Sequence, residues 1–207
     1  MPSTFTRCCP RLGAARVAAG LIGALLLSAS VSAEPETTGP GISAPVSPAD
    51  IAETLLDQLA AAEDEATARA LETRVREIWQ RSGSDTADLL LGRAGSAFER
   101  EDYARALQYL DTIVALRPDF VEAWNMRATV YYMLDEYDLS MSDIERVLSL
   151  QPRHFGALSG LGMIFRELNQ PREALEAFRR ALAVNPFLEN ARTSVDRLEV
   201  EVEGRPI

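Results

Sequence analysis

Lysine is absent: all 21 basic side chains of this 207-residue chain are Arg. A Schiff-base enzyme and a P-loop nucleotide site both need a Lys amine, so neither chemistry is available. Histidine occurs once, as His154, and cysteine only as the adjacent Cys8 and Cys9. Beyond residue 33 a single His without thiols cannot assemble the three or four N/S ligands of a Zn site. No Gly-rich phosphate loop is present either, because Gly156, Gly160 and Gly162 fall within a stretch of helical periodicity. Positive charge is outnumbered, 21 basic against 31 acidic residues for a formal net charge of −10, which argues against nucleic acid as a partner. Long hydrophobic runs are lacking too. The apolar stretch 17–27 would reach about 16 Å as a helix, roughly half the hydrocarbon thickness of a bilayer. What is left, 47% apolar and 25% charged, is ordinary globular composition.

The amino-terminal residues read as an address. Arg7, Arg11 and Arg16 open the chain without an acid, the apolar run 17–27 follows, and small residues lead to Ala33. That order is expected of a secretory signal peptide cut after Ala33, which would leave no stable membrane insertion; a retained signal anchor is the alternative. The expected compartment is the periplasm or the exterior. Both Cys precede the apolar run, so neither is a lipid-attachment cysteine. Residues 34–207 contain no thiol, hence no disulfide and no redox dithiol, and must hold together by their core. Pro35, Pro40 and Pro45 with Gly39 and Gly41 make residues 34–47 a flexible linker by composition. Ser47, Pro48 and Asp50 then signal a helix start.

Further along, Pro118, Pro152 and Pro186 stand 34 residues apart, each closing a similar phrase. Aligned on them, units 87–120, 121–154 and 155–188 carry Leu90, Trp124 and Leu158 at the fourth place. Ala94, Ala128 and Gly162 take the eighth place, and Ala97, Tyr131 and Phe165 the eleventh. The second half of each unit repeats Ala106, Ser140 and Ala174, then Leu110, Ile144 and Phe178, then Ile113, Val147 and Ala181. These places share one face of a helix, and then one face of the next. A single such hairpin cannot bury both of its apolar faces, so neighbours must stack.

The pattern resembles the tetratricopeptide repeat (TPR) family, most fully in the third unit, with Leu158, Leu161, Gly162, Phe165, Ala174, Phe178, Ala181 and Pro186. The resemblance implies an all-α, right-handed superhelical solenoid of helix hairpins. Residues 48–62 and 64–82 read as an added hairpin (domain 48–84) that caps or extends the stack at its amino end, with Gly83 as a helix stop. Residues 188–203 read as a capping helix. Asp102 and Asp119 are expected to cap helices, and the turns near Glu101 and Asp135 to be more strained than the one at Asn169. At the seventh place, Arg93 and Arg127 replace an apolar residue. Pairing within units, Arg93 with Asp111 and Arg127 with Glu145, stands beside the simpler reading that both heads reach water.

No catalytic constellation emerges, and neither a metal nor another cofactor is expected. His154 reads as a junction residue that caps or packs at the next helix. The resemblance implies instead a non-enzymatic adaptor or scaffold whose first helices line a concave, protein-binding groove. Its register places Asp88, Leu91, Gly95 and Phe98 there from the first unit, and Glu122, Asn125, Thr129 and Tyr132 from the second. Gly156, Ser159, Met163 and Arg166 come from the third. Such side chains suit an extended peptide of another protein with apolar anchors and a basic group. A self-associating structural solenoid, or a groove filled by the chain's own flanking helix, are the competing readings.

Overall fold

The computed structural model describes residues 47–202 and 204; the signal-peptide reading, with its cut after Ala33, and all of the linker but Ser47 lie outside them. Among the described residues there are nine helices: α1 (Pro48–Ala60), α2 (Glu65–Trp79), α3 (Asp85–Glu99), α4 (Tyr103–Leu116), α5 (Val121–Met133), α6 (Tyr137–Leu150), α7 (Phe155–Glu167), α8 (Pro171–Val184) and α9 (Glu189–Val202).

Local chemistry accounts for most helix ends. Ser47 caps α1 in a reciprocal box with Asp50, and Pro48 occupies the first helical position. Asp64 and Asp102 accept N–H bonds from Thr67 and Arg105 at the starts of α2 and α4. Asp119 does not cap α5. Its carboxylate is held by the Arg117 guanidinium at 3.1 Å, which keeps it below the usual carboxylate range, and Phe120 stands at the cap position without a side-chain bond. Inside each repeat, α3, α5 and α7 end on left-handed residues, Glu101, Asp135 and Asn169, with φ of 58°, 60° and 56°. The next residue's N–H reaches back to Ala97, Tyr131 or Phe165 at 2.8–2.9 Å, closing the same six-residue loop three times. Only Asn suits that backbone, so the first two turns carry the strain. Gly83 is also left-handed, but α2 has already ended at Trp79.

Successive hairpins share their cores. Ala94, Ala106, Leu110 and Ile113 pack with Phe120 and Ala123; Ala128, Ile144 and Val147 pack with Ala157 and Ile164. The small places let backbones close in. At Gly162 a Cβ would stand 2.9 Å from the Phe178 ring, and at Ala128 the carbonyl accepts a 2.7 Å bond from the Ser140 hydroxyl. Helix α9 covers the last repeat, laying Ala191, Val195 and Leu198 over Ala174, Leu175 and Phe178.

The added hairpin is not where the sequence suggests. Helices α1 and α2 pack against the third repeat, not the first: Leu55, Leu56, Leu59, Leu71 and Val75 share a core with Phe155, Leu158, Ala181 and Val184. Polar contacts fix the same docking. Arg153 donates to Glu53 and Asp57 at 3.1 and 2.8 Å, and Asn185 to Glu72 at 2.9 Å. Trp79 stacks on His154 with ring centroids 4.2 Å apart. Residues of α1 and α2 also meet the turns before α5 and α7, where Asp119, Phe120, Leu150 and Gln151 lie close to Ala49 and Ile78. The hairpin is a strap across the inter-repeat turns, and the outer face of α3 is left to solvent.

Arg127 also departs from expectation. It binds Asp143 of its own repeat at 2.7 Å and Asp111 of the preceding repeat at 2.8 Å, not Glu145. The seventh place points between repeats, so the partner positions lie 16 residues away in both directions. Trp124 lies under the guanidinium, 4.7 Å from it. Hydrogen bonding to Asp143 raises the already high pKa of Arg127. Arg93 has no preceding repeat; it makes no ion pair among the described residues and is exposed.

Candidate protein-binding groove

The first helices of the repeats line a concave side, and a pocket of about 250 Å3 opens there between α5 and α7. Asn125, Thr129 and Tyr132 come from α5, and Ser159 and Met163 from α7. Their spacing of three or four residues keeps each set on one helix face. Ala128, Ile144, Phe155 and Ala157 form its buried apolar backing. Arg76 of α2 closes one side, and Leu188 and Asn190, at the start of α9, close another.

Gly156 of α7 lines the pocket as well; the other predicted residues lie elsewhere or are occupied. Leu91 is buried in the first repeat's core, and Phe98 packs on Tyr103 with centroids 5.7 Å apart. Asp88 accepts from the Ser82 backbone N–H at 2.8 Å and fixes the loop before α3. Arg166 pairs with Glu167 at 3.3 Å, and the Tyr132 hydroxyl reaches the same carboxylate at 3.5 Å. Burial pushes the Tyr132 phenol up, so it stays a donor.

Glu122 accepts from Asn125 at 3.4 Å and faces His154 Nε2 at 3.4 Å. The Ala157 N–H donates to His154 Nδ1 at 3.0 Å, so the proton sits on Nε2 and is presented to Glu122. His154 is thus a buried helix cap, as a junction residue should be, and its second nitrogen ties α7 to α5.

Sequence reasoning missed Arg76, Leu188 and Asn190. None belongs to the first helix of a repeat, so no register could reach them. The electrostatic result is that the pocket lining holds one cation, two amides and no carboxylate, in a chain with 31 acids. The basic anchor expected of the ligand therefore has no partner in the pocket: the acids meant for it, Asp88 and Glu122, are bonded internally.

Two tetratricopeptide repeat family models match the chain, over residues 91–154 and 156–188. A TPR repeat-containing protein of Rhizobium etli is 38% identical over 158 residues, 76% of this chain and 78% of that protein. Sperm-associated antigen 1 of Mus musculus is 24% identical over 136 residues, which span 65% of this chain but 15% of the mouse protein. Among solved structures, the first TPR of Spaghetti (RPAP3), bound to the HSP90 peptide SRMEEVD, superposes with a TM-score of 0.55 at 20% identity. That match covers 58% of this chain and 95% of that one. A crystal structure of MamA protein gives 0.53 at 18% identity over 76% of this chain and 84% of that one. Both likenesses are of fold.

Proposed function

The chain belongs to the tetratricopeptide repeat family, and from that premise we propose that it is a non-enzymatic adaptor holding a segment of another protein in its concave groove. TPR domains generally mediate protein–protein interaction, and the neighbouring TPR of Spaghetti carries a bound peptide. The observation that carries the reading for this chain is the pocket itself. It is concave, mainly apolar at its base, and rimmed by Asn125, Thr129, Tyr132, Ser159 and Met163 on two rigid helices. The adaptor works outside the cytoplasm, delivered by the amino-terminal address. That part of the proposal rests on Arg7, Arg11, Arg16 and the apolar run, with the thiol-free remainder in keeping.

A photo-crosslinking residue at Met163 is expected to capture a discrete protein partner that the same residue at Ser96, on the outer face of α3, does not. Capture equal at both sites, or abolished at neither by Asn125→Ala with Tyr132→Ala, defeats the groove. Amino-terminal sequencing of the mature protein checks the address, with Glu34 expected first. The self-associating alternative has one observation in its favour, the bare amino end of the stack with Leu89 57% exposed. Light scattering across concentration decides it, a monomer being expected.

A further inference from the structure

We propose that the outer face of α3 is a second docking surface, which takes a single acidic helix of another protein and pairs with it through Arg93 and Arg100. The face shares no lining residue with the groove, so the two readings stand independently.

The next two repeats show what such a face is for. Counting on by 34 from Leu89 and Ser96 leads to Ala123 and Val130, then to Ala157 and Ile164. All four are fully buried, packed into the core shared with the repeat in front. On α3 the same places are open. Leu89 is 57% exposed, and a Cβ added at Gly92 would meet nothing within 4 Å. Leu89, Gly92, Arg93, Ser96 and Arg100 recur at helical spacing and line one depression, with Tyr109 of α4 beside them. A hollow over Gly92 and Ser96 next to a projecting Leu is the relief into which another helix packs. A lone helix fits it better than a further repeat, because the covered faces have alanine where Leu89 projects.

Charge fixes the chemistry of that helix. Arg127, at the place of Arg93 one repeat on, takes Asp143 from its own repeat at 2.7 Å and Asp111 from the repeat in front at 2.8 Å. Arg93 has Tyr109 where Asp143 would stand, and no repeat in front. Neither Arg93 nor Arg100 makes an ion pair among the described residues, and both are exposed. The one carboxylate in the lining, Asp88, accepts from the Ser82 N–H at 2.8 Å and from its hydroxyl. Two unanswered cations with no free acid, in a chain of 31 acids, demand carboxylates from outside. Arg93 and Arg100 are two turns apart, about 10 Å along the axis. The matching acids therefore stand seven residues apart on the incoming helix, with apolar residues between them. The chain's own far end does not supply this, since the exposed side of α9 sets Arg192 and Arg197 among its acids.

The test is selection of a displayed library of single helices on the full chain, with counter-selection on Ser96→Trp, which fills the hollow. Fluorescence anisotropy on the best helix follows. Enrichment of Asp or Glu seven residues apart, with Leu, Ile or Met between, is expected. Arg93→Gln and Arg100→Gln should each weaken binding about threefold and together about tenfold, exposed pairs being worth little singly. Reversing both, Arg93→Glu with Arg100→Glu, should abolish binding, and changing the helix's two acids to Arg should restore it, which a misfolded variant could not do. Asn125→Ala with Tyr132→Ala should leave this binding unchanged, which separates the face from the groove. Enriched helices without the acidic pair, loss of binding in the groove variant, or no enrichment at all overturn the inference and leave the groove standing. Association of the chain with itself that Arg93→Glu dissolves, read by light scattering, gives the face to a second copy and overturns it as well.

Discussion

The first and third repeats carry the same phrase and live in different surroundings. The third is enclosed: the strap α1–α2 packs on one side of α7–α8 and α9 on another, so Phe155 and Phe178 are fully buried. The first is covered only by the second, and Leu89 and Leu116 remain 57% and 58% exposed. In a linear array, stability is the sum of each unit's own folding and its interfaces. Both flanking elements have been placed on the same unit, so the two ends of the array should differ in stability far more than their sequences do. The same asymmetry explains the seventh place. An Arg is harmless at Arg93, where there is no neighbour, needs two acids at Arg127, between neighbours, and is replaced by Leu161 in the most enclosed repeat.

The comparison is most strongly tested by removing one cover. Deleting residues 188–207 bares Ala174, Leu175 and Phe178 and should cost roughly 5 kcal/mol, the burial of about three apolar side chains. In thermal melting that is a fall of more than about 10 °C. An unchanged midpoint would mean that α9 is not a cover. Next come matched truncations at the same place of two repeats, Phe178→Ala and Leu110→Ala, both fully buried. About 4 kcal/mol is expected for the first and about 3 for the second in urea unfolding, since the larger ring leaves the larger cavity. Equal losses with unequal slopes would show the first repeat unfolding alone.

Asp143→Ala leaves Arg127 half-buried with Asp111 only, and about 2 kcal/mol should be lost. Arg93→Leu, its counterpart in the first repeat, should stay within about 0.5 kcal/mol. Relief of the turns is smaller and of opposite sign. Glu101→Gly should stabilise by about 1 kcal/mol, and Asn169→Gly by less, because Asn already tolerates a φ of 56°. Smallest is a titration. The bond from the Tyr137 hydroxyl to Asp135, 2.8 Å long, pushes that phenol up to about 12. A raised folded pKa means the contribution is whole below the unfolded value near 10 and fades as pH climbs through about 12. Tyr131 and Tyr132 are raised by burial too, so ultraviolet titration should show several late tyrosines, and Asp135→Asn should move one of them earlier.

The solenoid was legible because each packing place is written three times. Leu110 alone could sit anywhere; Leu110, Ile144 and Phe178 at one spacing specify a face. Groove residues inherit that register, and Asn125, Thr129, Tyr132, Ser159 and Met163 do line one pocket. Register fails where a contact is written once. Nothing about Glu72 announces Asn185, 113 residues away, or about Arg76 announces Phe155. It fails too where a place faces a junction: Arg127 meets Asp143 of its own unit and Asp111 of the one before, and a search confined to one unit cannot reach Asp111. The first-repeat positions Asp88 and Leu91 went astray for a related reason. With no unit before them, one closes a loop and the other sinks into the core.

The docking of α1–α2 on α7–α8 also constrains the order of events when the chain is made. Ribosomes deliver the amino end first, so the apolar side of Leu55, Leu56 and Leu59 exists for as long as it takes to synthesise the hundred or so residues up to Phe155 and Val184. Repeats one and two can mature on nearest-neighbour contacts while the strap waits, greasy and unclaimed. In a nascent chain of this kind the first two helices made are among the last to find their core partners.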